Sequence, residues 1–571
     1  ADDVFAISVE TGRILWKYEA NLVDTISTAC CGWTSRGVAL GEGRVYVGVL
    51  DDRLVALDQR SGRVAWAIQT ERWQDGYTIT AAPLYYDGMV IVGFAGGENG
   101  TRGRVKAYDA KSGRLIWTFY TIPAPGELGH DTWPKDTDAW QHGGATVWQT
   151  PAVDPELGLL YFSTGNPGPD FNGQIRPGDN LFSVSIIALE ARTGKYRWHF
   201  QQVHHDIWDY DSPNPVILFD VKINGRSHKA VAEAGKTGWV YILDRVTGRP
   251  LLGIDEKPVP QDSRQRTSPT QPFPRGDSFV PQQIDIAPED FHLVNHGRIF
   301  TPFWTERVVA KPSTRGGANW PPSSYDPTTN YFYVCGGDRL GVFKGGEEVQ
   351  AIPRAGERYV GGTFGALPGA GVFAALDMKT NRIVWQEAWK DCYSGSVTTA
   401  GGLVFVGRND GRLTALNSST GERVWEFQTG AGVHAPVSVF EYQGEQYIAA
   451  YSAGNLFAGT ARGDSVWLFS LKGTMEQVAP ASISPPIAVS APVITADLTN
   501  GQKIFGEVCS SCHGASGEGG HGGPSLTSIR DIAKLVQIVQ QGGGQMPSFG
   551  SSLTPKDIQD VTAYVRNNVM R

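Results

Sequence analysis

Cys509-Ser510-Ser511-Cys512-His513 is the most specific chemical signature in the chain. Two thiols separated by two residues, with a His immediately after, bond a haem covalently and give its iron a proximal nitrogen. Cys509, Cys512 and His513 are therefore read as a c-type haem site. Met546, followed by Pro547, is the choice for the opposite axial ligand among five methionines. A His/Met pair raises the haem potential, which suits electron transfer. In bacteria haem is attached this way outside the cytoplasm, so the expected location is periplasmic.

Other chemistry-bearing residues lie far upstream. Cys30 and Cys31 are adjacent, and Cα atoms across one trans peptide sit about 3.8 Å apart, below the ~4.4 Å lower end for ordinary disulfides. A bridge between them would be strained, and such strain marks functional sites; the alternative is two reduced thiols. Whether the single residues Cys335 and Cys392 pair is not legible in sequence. The densest stretch is His204-His205-Asp206-Ile207-Trp208-Asp209-Tyr210-Asp211. Two His beside three Asp could bind a transition metal, but carboxylates and amides elsewhere suit a hard cation better. Glu98, in the turn Ala95-Gly96-Gly97-Glu98-Asn99-Gly100, reads by itself as a solvated carboxylate. Lys236 follows an apolar strand and reads by itself as a surface-turn Lys.

These residues must be positioned by β structure. The stretch Ala56 to Trp66 recurs as Ala6 to Trp16, Ala107 to Trp117, Ala188 to Trp198, Ala375 to Trp385 and Ala415 to Trp425. Ile242 to Leu252 keeps the turn but has Leu252 in place of Trp. Each copy reads as strand, tight turn and strand, and a Trp at a fixed place predicts an indole buried between neighbouring sheets. Repeats at this spacing favour a propeller over a solenoid or separate sandwiches. The long gap from Trp117 to Ala188 is expected on the functional face. From Leu252 to Pro322 the pattern thins into Pro, Gln and Asp, which predicts a long loop over the propeller.

The 571 residues include 70 Gly and 17 Trp, enough for a large, turn-rich β core. A net charge of -8 argues against a nucleic-acid partner. No segment reaches the apolar length of a transmembrane helix. No signal peptide is visible, and the first repeat begins at Ala6, so some N-terminal sequence is expected to be missing. Residues 474–496 are rich in Pro, Ala, Ser and Val and read as a linker between a propeller over 1–473 and a second domain over 497–571. In that domain a helix is predicted from Gly501 to Phe505, and a last one from Thr554 to Asn567, capped by Thr554 and Pro555.

Cys30-Cys31-Gly32-Trp33-Thr34-Ser35-Arg36-Gly37, taken with the Trp repeats, resembles the quinoprotein alcohol dehydrogenases, whose propeller binds pyrroloquinoline quinone (PQQ). The haem signature narrows the resemblance to the soluble quinohaemoprotein alcohol dehydrogenase family. It implies an all-β eight-bladed propeller with tryptophan-docking repeats and a small all-α cytochrome c domain. In that family a vicinal disulfide, here Cys30–Cys31, covers one face of PQQ, and a Trp, here Trp148, stacks under the other. The resemblance further implies that Arg36 contacts the quinone, that Thr80, Ala95, Gly96 and Gly97 line it, and that Lys236 reaches its oxygens. Glu98 and Asn166 become metal ligands, and Asp209 the catalytic base and a further ligand. Asp211 stands where calcium enzymes of the family tend to carry a small or neutral residue and lanthanide enzymes an Asp, so the metal is calcium or a lanthanide. Two departures are Gly32, where many relatives have Asp, and the lack of a counterpart to the family's N-terminal segment, whose carboxylate contacts the quinone.

The implied reaction oxidises an alcohol substrate and passes electrons through haem c to an external acceptor such as a soluble cytochrome or copper protein. A quinoprotein for sugars or aldehydes is one alternative. A non-catalytic propeller scaffold bearing a cytochrome is another, but it has no need for Cys30, Cys31, Glu98, Asn166 and Asp209 together.

Overall fold

The repeated unit folds as a hairpin with its two defining residues face to face. Ala56 pairs with Trp66 across strands Arg53–Asp58 and Val64–Gln69. The same pairing joins Ala6 to Trp16, Ala107 to Trp117, Ala188 to Trp198, Ala375 to Trp385 and Ala415 to Trp425. A methyl group opposite an indole gives the ring room at the cross-strand position, which is why a small residue recurs there. At the turn, Asp58 Oδ1 accepts hydrogen bonds from the Ser61 N–H and hydroxyl at 2.9 and 2.7 Å. Asp109 with Ser112, and Asp244 with Thr247, repeat the arrangement. An Asp side chain that closes its own turn accounts for the recurring acidic and hydroxyl residues.

The computed structural model describes residues 2–570 except 24–25, 27–32, 287, 289–290, 292, 347–351, 456, 482–495, 520–522, 524, 528–531, 543–545, 547–548 and 550–552. Cys30 and Cys31 lie outside the described residues. Among those described, five antiparallel sheets have four strands each, and shorter sheets of two or three strands accompany them. The indole of one sheet reaches the next. Trp66 Nε1 donates to the Ala110 carbonyl at 3.0 Å, Trp117 to Ala191, Trp198 to Arg245 and Trp385 to Ser418 at 3.1 Å, and Trp16 to Gln59 at 3.2 Å. The turn glycine of the receiving sheet lies against the ring. A Cβ on Gly248, whose φ is +74°, would fall 2.6 Å from the Trp198 indole, and one on Gly194, at φ +68°, 2.6 Å from Trp117. Only a residue that tolerates left-handed φ and has no side chain fits both demands.

Where Leu252 replaces Trp, the joint is aliphatic. Leu251 and Leu252 pack on a core of Phe219, Ile242, Phe332, Val334 and Leu376, which connects the sheet of residues 217–244 to the next four-stranded one. The region from Leu252 to Pro322 is not the plain loop expected. Ile254–Pro258 pairs with Thr270–Pro274 as a hairpin, and Val308–Ala310 pairs with Gly341–Gly345. Pro258, Pro272 and Pro274 are tolerated because both strands of a two-stranded sheet are edges, where a missing N–H leaves no ladder bond broken; the same prolines disguise the strands in the sequence.

The C-terminal part is helical. Helices α1 (Leu498–Ile504), α2 (Ser510–His513), α3 (Ile532–Gln541) and α4 (Pro555–Tyr564) surround a separate core of Ile504, Phe505, Leu535, Leu553, Ile558 and Val561. The first helix starts earlier than predicted, because Asp497 caps the Thr499 and Asn500 N–H groups. Helical backbone then continues through Phe505–Cys509 into α2. At α4, Thr554 and Asp557 form a reciprocal capping box with Pro555 in the first turn. Just before the cytochrome-like part, Val478 and Ala481 donate their N–H groups to Gln428 and Gly430 at 3.2 and 2.9 Å, so the start of the Pro/Ala-rich stretch is tied to a sheet. Among the described residues, no helix is long and apolar enough to cross a membrane.

The indole joints carry a testable cost. Trp198 is buried and its N–H bonded, so Trp198→Ala should destabilise the fold by about 3–5 kcal/mol. Trp425 is 38% exposed, and Trp425→Ala should cost about 1 kcal/mol, the worth of its ring contacts. Calorimetric unfolding of the two variants checks the difference.

Candidate active site

Several of the predicted site residues, Arg36, Thr80, Trp148, Asn166, Asp209, Asp211 and Lys236, come from loops of different sheets and lie close to one another. Ala95 bridges Thr78 and donates to its carbonyl at 2.8 Å, which aligns the 95–100 turn beside the Thr80 segment. Gly96 takes a left-handed φ of +103°, and Gly97–Asn99 form a single tight helical turn that carries Glu98, which is half-buried. Arg36 lies across the neighbouring gap. Its Nη1 donates to the carbonyls of Thr80 at 3.2 Å and Trp148 at 3.4 Å, and its guanidinium lies over the Trp148 ring at 5.0 Å and the Trp320 ring at 5.4 Å. Burial lowers the Arg36 pKa to about 10. Its Nε and the Thr80 hydroxyl are buried without a hydrogen-bond partner. Two unanswered polar groups beside an indole are what a polar, flat ligand would satisfy.

Asn166 sits at the start of the next loop, with its backbone N–H donating to Asp211 Oδ1 at 2.5 Å. The other Asp211 oxygen lies 2.6 Å from Lys236 Nζ, and the same ammonium bonds Asp209 Oδ1 at 2.8 Å. Lys236 is buried, so it is not a surface-turn residue, and Asp211 is buried rather than turned outward. Asp209 adopts a left-handed φ of +59°, a conformation that a non-glycine residue holds only when its surroundings enforce it. Burial drives the Asp209 carboxyl well above its usual range, with Asp211 and Asp170 adding to the shift and Lys236 opposing it. Burial works against the charged form of Lys236, yet the two carboxylates outweigh it and raise its pKa.

The histidines of the dense stretch face away from this pair. His204 bonds Gln201 and Glu256, and His205 bonds the Gly178 and Gln265 carbonyls at 2.6 Å. Burial lowers the His205 pKa to about 4. Asp206 accepts the N–H groups of Trp208 and Tyr210 and so shapes the loop from inside. Among the described residues, no three His, Cys, Asp or Glu side chains converge as a metal cluster. The donors near Glu98 are carboxylate and amide oxygens, a set suited to a hard cation.

Residues 1–357 match the family described as glucose/ethanol/alcohol dehydrogenase, beta-propeller domain. Residues 496–565 match cytochrome C oxidase, cbb3-type, subunit III. The quinohaemoprotein alcohol dehydrogenase ADH IIB of Pseudomonas putida is 33% identical over 98% of this chain and 83% of its own. The chain belongs to the quinohaemoprotein alcohol dehydrogenase family. A solved quinohaemoprotein alcohol dehydrogenase of Pseudomonas putida, ADH IIG, superposes with a TM-score of 0.73 at 30% identity, covering 99% of this chain and 86% of that one. A lanthanide-dependent methanol dehydrogenase of Methylorubrum extorquens is 31% identical over 80% of this chain and 77% of its own.

In the cytochrome part of the dehydrogenase, Cys509 is buried and Cys512 half-buried, and neither is in a disulfide. Burial, with the neighbouring Cys512, pushes the Cys509 thiol up to about 12. His513 is buried in the same part, and Met546 packs against the core that includes Leu526, Leu535 and Phe549. Cys335 and Cys392 are bridged, with Cα atoms 5.4 Å apart. Their disulfide lines a small cavity with Arg315, Gly337, Tyr393 and Ser394.

Sequence reasoning missed three residues at the dehydrogenase site. The Trp320 ring makes a second contact with the Arg36 guanidinium beside that of Trp148, and the Gly316-Gly317-Ala318-Asn319-Trp320 run was its only signal. Asp170 follows Asn166 on the same Pro/Gly-rich loop, and Arg358 comes from a distant segment with no motif to flag it.

Lys236 answers two carboxylates at once. Lys236→Met should therefore cost about 3–5 kcal/mol, the penalty of leaving a buried charge uncompensated, measured as a lower thermal midpoint. Lys236→Arg, which keeps the charge, should recover part of that loss.

Proposed function

We propose that this dehydrogenase oxidises an alcohol to an aldehyde or ketone at the site between Arg36, Trp148, Glu98 and Asp209, and sends the electrons through haem c. The observation that carries the reading is the half-buried Asp209, held at positive φ beside Lys236, together with the buried unsatisfied groups on Arg36 and Thr80. PQQ would supply the electron-accepting carbonyl, and a cation held by Glu98 and Asn166 the polarising charge. Trp148 would offer a flat apolar face to the quinone, and Arg36 and Thr80 would orient its polar edge. Asp209 accepts the hydroxyl proton at a carboxylate oxygen. Burial makes that oxygen more basic than an exposed Asp, and Lys236 holds it in position.

The sheets support an eight-bladed count. Among the described residues, eight repeat sheets follow one another, at residues 4–18, 38–69, 84–120, 152–201, 217–244, 324–389, 396–428 and 438–469. Indole-to-carbonyl bonds across consecutive sheets support tryptophan docking as the joint between blades. Cys30–Cys31 would cover the quinone face opposite Trp148. Cys509 and Cys512 would hold the haem, with His513 and Met546 as axial ligands, in a domain beginning near residue 497. The external acceptor is a soluble cytochrome or copper protein, and the compartment is the periplasm.

Asp211 supports a lanthanide at the cation site. A buried carboxylate next to Asp209 adds attraction that scales with ion charge, so a trivalent ion gains more from it than calcium does.

Asp209→Asn should lower turnover at least about 100-fold while PQQ and haem remain bound, because an amide cannot take the proton; steady-state rates with an artificial dye measure it. Met546→Ala should lower the haem potential by removing the soft axial ligand. A spectroelectrochemical titration that returns the wild-type potential would assign the second axial position to another residue.

A further inference from the structure

We propose that Asp170 is an additional anionic ligand of the cation site at Glu98 and Asn166, its charge offset by Arg358 until a cation binds. This inference rests on the reading of Glu98 and Asn166 as cation ligands.

Asp170 is 4% exposed, and its Oδ1 has no hydrogen-bond partner. Such an oxygen is costly to bury unless something else answers it. Its charged neighbours are Glu98, Arg358 and Asp211, and the Asn166 side chain engages it directly. Asp209 also lies within its electrostatic reach. One buried carboxylate is thus coupled electrostatically to Glu98, Asp209 and Asp211 and bonded by Asn166, the residues assigned to the cation, and it keeps one oxygen without a partner. Arg176 lies close as well, but its N–H groups are taken by the carbonyls of Pro169 and Asp206 and by Asn180.

Arg358 arrives on a segment that clamps both halves of the site. Gly356 and Tyr359 donate their N–H groups to the carbonyls of Asn99 and Glu98, each at 2.9 Å, and Phe171 donates to Val360 at 2.8 Å. The clamp therefore fixes the Glu98 turn and the Asp170 loop relative to one another. It also brings in a guanidinium whose Nε and Nη1 are buried without partners. That guanidinium lies within electrostatic reach of Asp170 and offsets part of the repulsion on its carboxylate, while Asp170 Oδ1 stays free to bind a cation.

The test is titration of the full, haem-loaded chain, stripped of metal by a chelator, with Tb3+ alone. Terbium emission sensitised by Trp148 reports binding, and Ca2+ is measured by competition. Asp170→Asn should weaken Tb3+ by about 10-fold or more and Ca2+ by a smaller factor, since the lost attraction scales with ion charge. Arg358→Gln should shift Tb3+ the other way, tightening it about 3-fold or more by removing a repelling cation. Glu98→Gln serves as the reference. Wild-type Tb3+ affinity in Asp170→Asn, with binding lost in Glu98→Gln, would overturn the role of Asp170 and leave the cation site intact. Wild-type affinity in Glu98→Gln would overturn the cation site and this inference with it. Where Asp170→Asn fails to fold, as judged by circular dichroism and the haem spectrum, Arg358→Gln decides: unchanged or weakened Tb3+ binding overturns the inference.

Discussion

A single indole N–H bonded to the carbonyl of the following sheet is the contact on which the rest of this molecule depends. One four-stranded sheet cannot bury both of its faces, so each must be covered by a neighbour. The indole covers the turn of the next sheet, and its N–H satisfies a carbonyl that would otherwise face apolar side chains. Ala opposite Trp and Gly under Trp are the two steric conditions of that contact, and both recur wherever the joint does. A stack of sheets locked this way is a rigid frame, and its loops can carry chemistry without also carrying stability.

What those loops assemble is an excess of carboxylate, buried at Asp170 and Asp211 and half-buried at Glu98 and Asp209. Asp209 and Asp211 share Lys236, while Asp170 lies near both Glu98 and Arg358. Buried like charges are tolerated only with close compensation. Here the compensating cations come from segments far apart in the chain, so the site exists only when the frame is complete. The same arrangement keeps Asp209 in an uncommon backbone conformation, since its carboxylate is anchored by Lys236 and the loop is braced by Asp206 from beneath.

Legibility in the sequence followed the range of the interactions. The repeat was plain because Ala, Asp, Ser/Thr, Gly and Trp act within one hairpin or on the adjacent one. Thr554 and Pro555 marked the last helix for the same local reason. The hairpin within residues 254–274 was hidden, because its prolines are harmless only on edges, and edges are set by tertiary structure. Lys236 and Glu98 looked like surface residues by type, and only the resemblance assigned them to a site. Asp170 and Arg358 were invisible: their significance lies in meeting one another across a separation that no local pattern encodes.

Close backbone approach explains why this site is rich in glycine as well as charge. A Cβ on Gly165 would stand 2.9 Å from Asp211 Oδ1 and 3.1 Å from Trp148 Nε1, so the bare backbone is what lets the indole and the carboxylate loop occupy adjacent layers. Gly316 does the same for Lys236, whose side chain passes where a Cβ would be, and the N–H of Gly317 donates to the Lys236 carbonyl at 2.7 Å. The lysine is thereby gripped by backbone on one side and by two carboxylates on the other. A side chain at Gly165 would press on the Asp211 carboxylate and the indole, and one at Gly316 on the stem of Lys236. Because a shift of about 1 Å in a positioned catalytic group is enough to lower a rate about 100-fold, the glycines help to set the geometry of proton acceptance that the charged residues perform.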